Sequence, residues 1–167
     1  NASYRSKLAE RLKGKVISER AHHVVARRGM SLDRFKDIKI DVLSPSDELV
    51  GDKNVNNACV VLKITYDKTS FLLTGDIEDK VMSDMLANGL DVRSDVLKVP
   101  HHGAKLKAMG EAFVKAVSPK VSVISVGERN LYHHPSSKTL SILVAIPDNK
   151  VYRTDKDYAV EIISDGQ

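Results

Sequence analysis

Two short apolar runs end in residues able to bind a metal, and this pairing constrains the fold more than any other feature of the chain. Phe71-Leu-Leu-Thr74 leads into Gly75-Asp76, and Asp95-Val-Leu-Lys-Val99 leads into Pro100-His-His-Gly103. Between them, residues 78–88 place Val81, Met82, Met85 and Leu86 on one helical face, with Gly89 as a stop. Strands that end in ligands, with a helix between them, are the layout of an open α/β sheet. Such sheets bind their ligands at the carboxyl ends of the strands.

The pattern extends in both directions. Residues 4–13 have helical spacing and Gly14 as a stop; residues 15–18 then read as a short strand. Residues 22–29 read as irregular or strand structure ending in a Gly turn. Residues 38–43 alternate as a half-buried strand, Ser44-Pro45-Ser46 breaks it, and 47–57 form a polar loop. Strands are expected at 58–66, 71–74, 95–99, 121–126, 150–153 and 159–163, with 67–70 as a hairpin connection. Helices are expected at 78–88, 105–117 and 136–145, the last started by Ser136 and Ser137. The expected class is α/β, an α+β layered arrangement, with residues 1–167 as a single domain.

Composition supports a packed domain. With 167 residues, 42% hydrophobic and 29% charged, the chain can build one core and is not of disordered type. No apolar run approaches a membrane span and nothing resembles a signal peptide, so the chain is expected to be soluble. Asn1-Ala2 is compatible with an expression scar. The single cysteine, Cys59, can form no internal disulfide and reads as a small apolar strand residue. Net charge is +4, and basic residues crowd the N-terminal third (Arg11, Lys13, Arg20, Arg27, Arg28, Arg34, Lys36). That asymmetry is compatible with a polyanionic partner such as nucleic acid, and equally with an ordinary solvated face. Without tryptophan and with 5% aromatics, the chain shows no base-stacking platform.

Asp76 at a strand end is either a ligand or the N-cap of the following helix. His101 and His102, fixed between Pro100 and Gly103, offer one imidazole for a metal and another to orient it or to meet substrate. His133-His134, again beside a proline, follows the next strand and falls on the same edge. His22-His23 lacks that context and reads as a surface or strand pair. Three successive strand ends therefore point toward one rim. Their nitrogen and carboxylate donors suit Zn²⁺, Mn²⁺ or Fe and the activation of water. No serine nucleophile elbow and no phosphate-cradling glycine loop competes.

The blocks Asn57-Ala-Cys-Val-Val-Leu62, Phe71-Leu-Leu-Thr-Gly-Asp-Ile-Glu78, Val96-Leu-Lys-Val-Pro-His-His-Gly103, Ser118-Pro-Lys120, Ile124-Ser-Val-Gly127, Asn130-Leu-Tyr-His-His-Pro135 and Val151-Tyr-Arg-Thr-Asp155 resemble, in order and spacing, the metallo-β-lactamase-fold domain of the ComEC competence proteins. The resemblance runs from about residue 38 to the end. It implies an αβ/βα sandwich with a two-metal site holding Zn or Mn. It implies Asp76 as the bridging carboxylate, one of His101 and His102 as a metal ligand, and His134 as a phosphate contact or proton donor. Asn130 and His133 fall on the substrate side.

The chain also departs from that pattern. The family's His-x-His-x-Asp-His motif is absent, Ala104 stands where Ser is usual, and His133 where Gly is usual. The chain is therefore expected to be the C-terminal portion of such a domain, binding metal weakly or not at all and inactive alone. The resemblance further implies a parent in the bacterial cell membrane with this domain in a soluble compartment, hydrolysing phosphodiesters during uptake of single-stranded DNA. Two other readings remain: a soluble hydrolase of a small phosphoester or ester, and a non-catalytic module binding nucleic acid or a partner.

Overall fold

The computed structural model describes residues 7–32 and 35–167. The expected scar at residues 1–2, the start of the first helix at 4–6, and Arg34 lie outside the described residues. Helix α1 (Lys7–Ser18) is followed by strands β1 (Ile38–Ser44), β2 (Val61–Tyr66) and β3 (Thr69–Leu73), helix α2 (Asp79–Ala87), strand β4 (Val96–Lys98), helix α3 (Ala108–Val117), strand β5 (Val121–Ile124), helix α4 (Ser137–Val144), strand β6 (Lys150–Arg153) and a single turn of helix, α5 (Thr154–Asp157). The strands form one six-stranded sheet in sequential order. The β1–β2 and β2–β3 pairs are antiparallel, and β3 to β6 run parallel. The expected α/β layered class is observed.

Side-chain alternation explains the layering. Leu72, Leu97 and Ser122 share one register row, and all three are fully buried. They face a core built with Val81, Met82 and Met85 of α2, Phe113, Val114 and Val117 of α3, and Ile142 and Leu143 of α4. Each such side chain contributes roughly 1.5–3 kcal/mol through burial. The neighbouring row, on the opposite face, is half open: Leu73 is 37% and Tyr152 39% exposed.

Three expected elements differ. Residues 15–18 are the last turns of α1, because Leu12, Val16 and Ala9 hold helical spacing through Gly14, and Ser18 Oγ donates back to the Lys15 carbonyl. Residues 159–163 form no strand. Instead the tail runs to the β2–β3 turn, where Lys68 N–H donates to the Gly166 carbonyl. Residues 105–107 precede α3 rather than joining it.

Candidate functional site

Three parallel strands end side by side at one rim, and each strand end is tied to its neighbour. Buried Thr74, just past β3, donates from Oγ1 to the Lys98 carbonyl of β4 at 2.7 Å. The Gly75 carbonyl accepts from the His101 N–H at 3.2 Å and from Lys98 Nζ at 3.3 Å. Burial pushes the Lys98 ammonium's pKa down, and the adjacent Asp76 and Cys59 offset part of that. Gly75 itself has φ 58°, and a Cβ there would lie 3.3 Å from that of Cys59. The glycine therefore permits close approach of the segment that leads into β2. Cys59 packs half-buried against the core, as expected of a small apolar residue.

Pro100–Gly103 forms a tight turn in which His101 (φ 49°) and His102 (φ 54°) both take left-handed backbone. Such backbone costs a non-glycine residue about 1–2 kcal/mol, and it aims the two rings apart. Gly103 is obligatory: at φ 78°, a Cβ would stand 2.6 Å from that of Pro135. Thr139 of α4 locks the turn from behind, donating to the Ala104 carbonyl at 2.6 Å and accepting from Leu106 N–H at 3.1 Å.

His102 Nε2 lies 3.4 Å from Asp76 Oδ1. Its Nδ1 lies 2.7 Å from the Ser125 carbonyl beyond β5; a carbonyl can only accept, so Nδ1–H donates and the ring is held with Nε2 toward Asp76. His101 turns the other way, its Nδ1 3.6 Å from Glu78 Oε1. Glu78 is held in turn by Asn56 Nδ2 at 2.8 Å and Asn54 Nδ2 at 3.0 Å. The His101 ring is 6.1 Å from that of His134 and 6.5 Å from that of His102. Tyr132 stacks on His134 at 5.7 Å. Partial burial, followed by the like charge that His101 and His102 can carry, lowers the His134 pKa.

The structure thus brings Asp76, His101, His102 and His134 together and leaves His133 exposed at a left-handed position (φ 55°). Both ends of the Asn130 amide are engaged within its own loop: Nδ2 donates to Gly127 and His134 carbonyls, and Oδ1 accepts from His134 N–H. Asp76 does not cap α2, which starts at Asp79 after Glu78. Glu78, Lys98 and the Ser125 carbonyl were not singled out from sequence. Glu78 had a signal, lying two residues past Asp76, whereas a backbone carbonyl has none.

A divalent cation fits this rim in part. The donor chemistry, one carboxylate and one oriented imidazole, suits Zn or Mn. Among the described residues, no three His, Cys, Asp or Glu side chains are grouped closely enough to hold an ion. The rim therefore groups two side chains of ligand type, Asp76 and His102.

No protein-family model matches the chain. In structure it is similar to a protein from Parabacteroides distasonis whose name assigns it to the metal-dependent hydrolases, with TM-score 0.52 and 14% identity over 90% of this chain and 62% of that one. That likeness is one of fold, and it defines the class: an α/β layered domain. In sequence the chain is 36% identical over 128 residues to ComE operon protein 3 of Bacillus subtilis, covering 77% of this chain and 16% of that protein. It is 30% identical over 146 residues to Competence protein ComA of Neisseria gonorrhoeae, covering 86% and 20%. The two relatives, together with the likeness in fold, support a ComEC-type competence domain of metallo-β-lactamase fold. It spans a fifth or less of the length of these two relatives. No helix among the described residues is long and apolar enough to cross a membrane.

Proposed function

We propose that this chain supplies one side of a metal-dependent phosphodiesterase site in a longer, membrane-anchored DNA-uptake protein. On this reading it is the C-terminal portion of the domain, acting on single-stranded DNA. The observation that carries it is the Asp76–His102 pair, set 3.4 Å apart with His102 oriented by the Ser125 carbonyl. That geometry supports His102, rather than His101, as the imidazole that would hold a cation of Zn or Mn type together with the Asp76 carboxylate. Bound there, the cation supplies Lewis acidity toward phosphoryl oxygens and water.

The chain's own residues do the rest. His101, steered by Glu78, faces the side of the rim nearer His134. His134, whose pKa is lowered by partial burial and by its histidine neighbours, contacts phosphate and passes a proton at its imidazole. Asn130 holds the loop that presents His134, and exposed His133 meets the substrate from solvent.

Calorimetric titration with Mn²⁺ tests the donor pair. This chain is expected to bind weakly, and Asp76→Asn or His102→Ala to weaken binding roughly tenfold to a hundredfold further. In a protein extended to the length of its relatives, Asp76→Asn is expected to abolish Mn²⁺-dependent cleavage of single-stranded DNA. Retained cleavage would remove the site, and robust cleavage by this chain alone would remove the reading that it supplies only part of one.

A further inference from the structure

At the opposite end of the sheet, where the parallel strands begin, two adjoining cavities of about 530 and 370 Å³ share Lys63, Lys68, Ser70 and Asp91. Among the described residues, six cations line them (Arg28, Lys39, Lys63, Lys68, Arg93 and Lys120) against three carboxylates (Asp41, Asp91 and Asp95). Arg28 is also paired with Asp84 just outside the lining, so the local surplus is two positive charges, against +4 for the whole chain.

Two of those carboxylates are already saturated. Asp91 Oδ2 takes Lys63 Nζ at 2.6 Å and Oδ1 takes the Arg93 N–H at 3.2 Å. Asp95 Oδ1 pairs with Lys120 at 2.8 Å, while Oδ2 takes both the N–H and hydroxyl of Ser70 at 2.9 and 2.8 Å. The Lys63 bond holds the Asp91 carboxyl below its usual range. For Asp95, burial acts upward, and the bonds from Lys120 and Ser70 outweigh it. These acids brace Lys63 and Lys120 and offset their charge, so the surplus falls to the side chains of Lys68 and Arg93. Lys63 is buried to 12% side-chain exposure, whereas Lys120 reaches out at 76%. Lys68 and Arg93 are exposed and have no carboxylate at salt-bridge distance among the described residues.

A concave, braced, hydroxyl-edged basic trough fits a chain of closely spaced phosphates better than it fits a flat charged surface. No aromatic side chain lines either cavity, so nothing there stacks on bases. We propose that this trough binds the phosphate backbone of a single nucleic-acid strand, without base specificity, at the end of the domain away from the histidine rim. The proposal shares its single-stranded ligand with the function proposed above but none of its residues, so each can fail alone.

The test is fluorescence anisotropy of a labelled oligothymidylate titrated with the protein over a salt series. Lys68→Glu/Arg93→Glu is expected to lower affinity about tenfold or more at low salt. It should also flatten the plot of log affinity against log salt by about 1.4, since each lost contact to a single strand removes roughly 0.7. Both side chains stand in solvent, so the fold should survive, and circular dichroism checks this. A charge-matched pair on the first helix, Lys7→Glu/Lys13→Glu, should cost much less. The proposal is overturned if the wild-type chain fails to bind at low salt, if the trough pair binds like wild type, or if the helix pair loses as much. Displacement of the oligonucleotide by inorganic polyphosphate at equal phosphate concentration assigns the trough to polyphosphate and overturns the nucleic-acid assignment.

Discussion

The parallel half of the sheet and the N-terminal helix are opposites in how they use apolar residues. Around β3 to β5, Leu72, Leu97, Ile124, Phe113 and Leu143 are fully buried, and the rim histidines stand on that base. In α1 no residue is buried; Leu8, Leu12 and Ile17 are 73%, 64% and 77% exposed. Both stretches are amphipathic in sequence, so periodicity alone does not separate them. The difference lies in whether tertiary neighbours exist to cover the apolar face. The rim can hold strained left-handed histidines because rigid, interlocked strand ends stand beneath it.

Several substitutions would sharpen or break that contrast. Phe113→Ala should show the largest effect, about 3–5 kcal/mol lost in denaturant unfolding, because it empties the centre of the core. Gly103→Ala should cost about 2–3 kcal/mol, combining left-handed strain with the clash against Pro135. It should also shift the His134 ring resonances in NMR spectra; an unchanged rim would separate Gly103 from the site.

Asp52 gives a smaller, pH-dependent effect. Its carboxyl is held at about 2, against an ordinary 3.8, chiefly by Lys80 and then by the Asn54 N–H and Asn57. A depressed folded pKa means stability present above 3.8 and lost as pH falls toward about 2. Asp52→Asn should flatten acid unfolding in that window, with little change at lower pH. Leu12→Ala should fall within about 0.5 kcal/mol of wild type. A loss as large as that of Phe113→Ala would show that α1 is covered after all.

Legibility from sequence followed the same division. Glycines, prolines and apolar runs located all six strands, with the starts of β2 and β3 displaced, and Ser136 caps α4 through its hydroxyl as expected. The assignments failed where local signals misled. Gly14 looked like a helix stop, yet α1 runs on to Ser18. Residues 159–163 looked like a strand, yet they found no sheet edge to join and the tail crossed to the β2–β3 turn instead.

By itself the sequence determined the order of elements, the alternation that buries one sheet face, and the placing of Asp76, His101, His102 and His134 after consecutive strands. Tertiary structure alone decided which imidazole faces Asp76, because that depends on left-handed backbone at two histidines and on a carbonyl of Ser125 from another strand. It also decided that Asn130 faces inward to its own loop and that Lys68 and Arg93 share a trough with Lys120. A strand end can be read from local pattern. The direction in which a side chain points across a rim is fixed by hydrogen bonds between residues far apart in the chain.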